Sequence, residues 1–155
     1  MFKMSESLLE INVKHHYQNN NFNCAETMIM ACNDTFGLNL PASASKLMAG
    51  FGSGLYTGNL CGSLVGCTSA LSLMMVETKA HETEKLPYAQ RLLVRNFRNL
   101  LTDTQCAKLK SIHHTKEERC LPTVLLAAQA FNQTLCQLQA EGLLKADYDY
   151  SSLQG

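Results

Sequence analysis

The chain has 155 residues, enough for one domain with a real core, and it is 46% hydrophobic against 17% charged, a balance that argues against a long disordered tract. Its 13 Lys and Arg equal its 13 Asp and Glu, the basic residues are scattered and there is no Trp, so nucleic acid and anionic membranes are not expected partners. Seven cysteines are an odd number, so at least one stays unpaired.

In chain order, Met1–Ser7 lacks the apolar core of a signal peptide. A cytoplasmic protein with reduced thiols is expected, in which cysteines serve metal binding, catalysis or packing rather than a disulfide framework. Ser5–Gln18 reads as a first helix. Asn23-Cys24-Ala25-Glu26 has the form of a capping box, opening a helix that runs to about Phe36 and stops at Gly37. Pro41 starts a short helix.

Five of the nine glycines then fall between Gly50 and Gly62. Such density implies a tight backbone course or close approach to something else. From Asn59 or Leu60 to about Lys79 comes the most apolar helix. It is shorter than a bilayer span and broken by Ser, Thr and Gly, so no membrane insertion is expected. Leu86–Leu101 is amphipathic, with Leu92, Leu93, Phe97, Leu100 and Leu101 inward. A short helix starts near Asp103 or Thr104 and ends near Lys110. Thr123 to about Ala140 is a long final helix ended by Gly142, and 143–155 is a partly packed tail. No segment alternates as a strand does. The expectation for 1–155 is an all-α single domain: a compact bundle of five to seven helices with a glycine-rich loop.

The cysteines divide by position. Cys24, Cys61, Cys106 and Cys120 all fall near expected helix N-termini, where free N–H groups and the positive end of the macrodipole favour a thiolate. Cys32, Cys67 and Cys136 fall inside apolar helical runs, where cysteine acts as a small hydrophobe. No pair has Cys-x-x-Cys spacing, so a shared site would be assembled from four separate segments. Four thiolates suit an Fe–S cluster or zinc, and two suit a reversible disulfide. Packing alone is the plain alternative.

Asn23-Cys24-Ala25-Glu26, Gly50-Phe51-Gly52-Ser53-Gly54, Cys61-Gly62-Ser63-Leu64-Val65-Gly66 and the later Cys106 and Cys120 resemble the C_GCAxxG_C_C family, defined by four cysteines and a Cys-Gly-Ala-x-x-Gly motif. Ser63 stands where the motif has Ala, and Asp-Thr-Gln precedes Cys106 where the family is glycine-rich. The family is related to a domain of split-Soret cytochromes. The resemblance implies redox activity and a [2Fe–2S] cluster on Cys24, Cys61, Cys106 and Cys120, supported by the backbone of Gly52, Gly54 and Gly62. An electron-transfer partner protein goes with that reading. Thiol–disulfide exchange in which Cys61 attacks and another of the four resolves, or a non-enzymatic module that binds zinc on the same cysteines or serves as a helical interaction module, are the alternatives. Covalent haem is not implied, since Cys-x-x-Cys-His is absent.

Other signals are weaker. Gly52 to Gly58 misses G-x-G-x-x-G by one residue and follows no strand. His113 and His114, between Cys106 and Cys120, offer a mixed-ligand zinc site or a solvated pair. The methionines read as adaptable core. No hydrolase motif is present. A homodimer is the base-rate expectation for a small protein.

Overall fold

The computed structural model describes residues 5–154. Among them are seven α-helices and no strand: α1 Leu8–Asn19, α2 Cys24–Phe36, α3 Ala44–Met48, α4 Gly62–Met75, α5 Leu86–Leu101, α6 Cys106–His113 and α7 Leu121–Ala140. The expectation of an all-α single domain holds.

Local chemistry fixes the first two helices. The Ser7 hydroxyl accepts from the Glu10 N–H, and the Glu10 carboxylate accepts from the Ser7 N–H. Asn23 and Glu26 repeat that reciprocal cap on α2. Gly37 ends α2 at φ 64°, with its N–H on the Asn33 carbonyl. Pro87 lies in the first turn of α5 and Pro122 in that of α7, where a missing N–H costs nothing.

Helix α4 is the central member, packed on α2, α5 and α7. It is buried on most sides, which is why it is apolar throughout rather than along one stripe. Small residues bring α2 close: a Cβ on Gly66 would lie 2.7 Å from the Cβ of Met28. Phe36, Phe97 and Phe131 are fully buried, and the Phe36 and Phe131 rings meet edge to face at 6.2 Å.

Several boundaries differ from the sequence reading by three residues or more, the first being the start of α1, at Leu8 after its Ser7 cap and not at Ser5. Helix α4 stops at Met75, not near Lys79. The tail is the cause, since the Lys145 N–H takes the Met74 carbonyl and its ammonium reaches the Val76 carbonyl. The tail also bonds to the Phe36 carbonyl through the Asp149 N–H and lays Leu143, Leu144, Tyr148, Tyr150 and Leu153 against the core. Helix α6 runs on to His113, past the expected end at Lys110. No helix among the described residues is long and apolar enough to cross a membrane.

Candidate functional site

Four helices begin at cysteines. Cys24 is the first residue of α2, Cys61 caps α4, Cys106 is the first residue of α6 and Cys120 caps α7. All four line one narrow cavity of about 10 Å³, completed by Leu109, Lys110 and Thr123. Cys61 and Cys106 are buried, while Cys24 and Cys120 are half-buried. Cys24, Cys106 and Cys120 also form part of the wall of an open cleft of about 230 Å³, with Tyr17, Asn21, Phe22, Asn23, Ser53 and Arg119. No carboxylate lines either space.

The glycine-rich segment makes this convergence sterically feasible. Ser53, Gly54, Leu55 and Tyr56 all have left-handed φ, between 47° and 62°. A left-handed turn costs roughly 1–2 kcal/mol for each non-glycine residue, so three such residues mark a segment held by its surroundings. It turns the chain so that the Asn59 N–H reaches the Gly54 carbonyl. Leu60 then pairs antiparallel with Gln105. Cys61 donates its N–H to the Thr104 carbonyl, Cys106 donates to the Asn59 carbonyl, and the two cysteines are pinned side by side. Gly54 allows this: at φ 61° it sits where a Cβ would be 2.7 Å from the Cβ of Cys106. Gly62 has the matching role on the other side, where a Cβ would lie 2.7 Å from the Cys24 sulfur and 2.7 Å from the Phe51 carbonyl oxygen. Gly52 lies against the Asn23 side chain. That side chain caps α2 and also donates to the Ala49 carbonyl at 2.9 Å, tying Cys24 to the loop.

Cys120 is fixed from a distance of 103 residues in sequence: its N–H donates to the Tyr17 hydroxyl at 3.1 Å. The Arg119 guanidinium stands over the Tyr17 ring, 5.2 Å from its centre. Arg119 itself has φ 55° and exchanges two backbone hydrogen bonds with Thr115. His114 Nδ1 is 3.6 Å from the Cys120 sulfur, while His113 Nε2 is 3.2 Å from the Leu101 carbonyl oxygen. The two histidines therefore separate: only His114 reaches the cysteines.

Electrostatics depart from the sequence expectation. Helix N-termini favour thiolates, yet burial dominates here. It pushes the Cys24 thiol up to about 12, with neighbouring Cys61 and Cys120 adding repulsion and the Ser53 amide pulling back. Burial also raises Cys106 and Cys120, opposed in both by the Lys110 ammonium. Without a bound cation these are thiols at neutral pH. The Cys61 sulfur lies 2.9 Å from the Ser63 hydroxyl.

Of the three cysteines read as core, Cys32 and Cys67 are fully buried. Cys136 is exposed, a correction: it lies on the outer face of α7, where Gln133, Gln137 and Ala140 are also exposed. Tyr17, Ser53, Lys110 and Arg119 were not singled out from sequence. Arg119 could have been suspected from its place beside Cys120. Nothing local marks Tyr17.

A helical bundle that gathers four thiols from four helix starts around one cavity defines a cysteine-centred site protein. The family model described as putative redox-active protein (C_GCAxxG_C_C) matches residues 22–134, well over half of the chain, and the chain belongs to that family. No curated protein and no solved structure matches it.

As they stand, no three or more His, Cys, Asp or Glu side chains among the described residues converge tightly enough to hold a single metal ion. The donor chemistry is nonetheless one-sided: four soft sulfurs, no oxygen donors from carboxylates, and a nearby ammonium. That set fits an Fe–S cluster, which is wider than one ion and prefers thiolate ligands.

Proposed function

We propose that this protein is a redox carrier in which Cys24, Cys61, Cys106 and Cys120 hold an Fe–S cluster, of the [2Fe–2S] type, for electron transfer. The observation that carries the reading is the gathering of four cysteines, each at a helix N-terminus, on one cavity. Once bound, the cluster would supply one-electron chemistry. The protein's own contribution is ligation and tuning. The positive end of each helix macrodipole lies at its cysteine, which favours negative charge on sulfur. The Ser53 amide does the same for Cys24. Such donors raise a reduction potential. Lys110 offsets charge on Cys106 and Cys120. Because the thiols are held protonated by burial, loading releases protons and is favoured by rising pH.

A single zinc ion needs all its sulfurs within one tetrahedron, a tighter convergence than the side chains offer. Thiol–disulfide exchange with Cys61 attacking needs a second thiolate to resolve the mixed disulfide, which burial opposes at Cys24, Cys106 and Cys120. The test is anaerobic purification of the full chain with iron, sulfide and zinc assays and a visible spectrum. Equimolar iron and sulfide, with visible absorbance abolished by Cys61→Ser, supports the proposal. A colourless, iron-free protein with stoichiometric zinc, or with Cys61 rapidly alkylated, overturns it.

A further inference from the structure

The open cleft outside the cysteine cavity has features that electron carriage between proteins does not require. Its volume of about 230 Å³ is below the roughly 300–1,000 Å³ of pockets for drug-sized ligands, so it suits a small molecule. Polar residues line it from three separate segments: Asn21, Ser53 and Arg119, with Asn23 already committed to its helix cap and to the Ala49 carbonyl. Three of its residues, Asn21, Ser53 and Arg119, are non-glycines at φ 54°, 47° and 55°. Uncommon backbone conformations in non-glycine residues cluster at binding sites, because only a surrounding structure with a use for them holds them there.

Arg119 is the cleft's only basic lining residue, no carboxylate lines it, and among the described residues Arg119 has no carboxylate within ion-pair distance. Its side chain is exposed and supported on one face. The hairpin bonds to Thr115 fix its backbone and the Tyr17 ring supports its guanidinium face. Stacking leaves the guanidinium edge, with its N–H donors, available for an anion. Part of the wall is formed by Cys24, Cys106 and Cys120, so an occupant would lie beside three of the four sulfurs.

We propose that this cleft binds a small anion, a carboxylate or a tetrahedral oxyanion, with Arg119 as its anchor. The redox site would then act beside a bound anionic small molecule rather than only against a protein surface. The inference rests on the redox reading for the meaning of the site, but the binding stands without it.

The test is isothermal titration calorimetry of the anaerobically purified full chain with sulfate, phosphate and acetate, in buffer matched for chloride. Iron and sulfide are assayed on the same samples. Saturable binding of at least one anion in the millimolar range or tighter is expected, weakened about tenfold or more by Arg119→Gln. Lys116→Gln removes the same charge from the same hairpin, outside the cleft, and is expected to change binding less than about twofold. Circular dichroism checks that both variants keep the wild-type fold. Anion binding in a sample without iron leaves this inference standing and counts against the cluster. Iron retained with no saturable binding, or equal losses in the two variants, overturns the inference and leaves the cluster reading intact.

Discussion

Gly62 provides a quantitative test of how the site is assembled. In Gly62→Ala the new methyl would lie 2.7 Å from the Cys24 sulfur, 2.7 Å from the Phe51 carbonyl oxygen and 3.2 Å from the Ala25 Cβ. Two of the three neighbours are parts of the backbone or next to it, so the clash is not relieved by a rotamer change. Overpacking of this kind costs roughly 1–3 kcal/mol. The gain in helix propensity is less than the roughly 1 kcal/mol of a helix interior, because Gly62 is the first residue of α4. The net expectation is a loss of about 1–2 kcal/mol, or about 2–8 °C in Tm for a chain of this length. Gly50→Ala is the control: nothing lies within 4 Å of its added Cβ. It is expected to be neutral or slightly stabilising. Thermal and urea unfolding by far-ultraviolet circular dichroism measures both. The steric account of the glycine segment is refuted if Gly62→Ala unfolds at or above the wild-type temperature with an unchanged urea m value.

Three further outcomes are expected. Asn23→Ala and Ser7→Ala each remove one arm of a capping box and should each cost about 1 kcal/mol in urea unfolding. Only Asn23→Ala, which also breaks the tie to the Ala49 carbonyl, should lower iron content; equal iron in both variants would show that the cap has no bearing on the site. Thr27 is fully buried with a hydroxyl that finds no partner, so Thr27→Val should raise the urea midpoint, and a fall would mean that the hydroxyl is satisfied after all. Burial holds the Cys32 and Cys67 thiols well above their usual range, and the neighbouring Cys32 raises Cys67 further. Unfolded thiols ionise near pH 8.5, so this contribution is fully present below that pH and is lost above it, by about 1.4 kcal/mol per pH unit per thiol. Cys32→Ala should therefore flatten the alkaline decline in stability of the reduced protein; an unchanged slope would contradict the burial argument.

Much of the fold was legible because it was written locally. Asn23 with Glu26, Gly37, and the stripe from Leu92 to Leu101 each state a cap, a stop or an inward face within a few residues. The end of α4 was not legible, because Lys145 sets it from 70 residues away. The four helix-start cysteines were readable one by one. Their meeting was implied by the family resemblance and not by local pattern, since it depends on a left-handed turn at Ser53–Tyr56 and on the pairing of Leu60 with Gln105. Their ionisation was not legible: a helix N-terminus is a sequence feature, whereas burial is a tertiary one, and at Cys24 burial wins. Cys136 reads as core from the apolar run of α7, yet it shares the solvent side of that helix with Gln133 and Gln137.

The central claim is that four particular thiols, and not the other three, hold one cluster. Electron paramagnetic resonance of the dithionite-reduced, anaerobically purified protein tests it most directly. The account predicts a spin-one-half signal of about one spin per chain. That signal should be lost or altered in Cys24→Ser, Cys61→Ser, Cys106→Ser and Cys120→Ser, and kept in Cys136→Ser. No signal from iron-replete wild type, or a signal unchanged by all four substitutions, would contradict it.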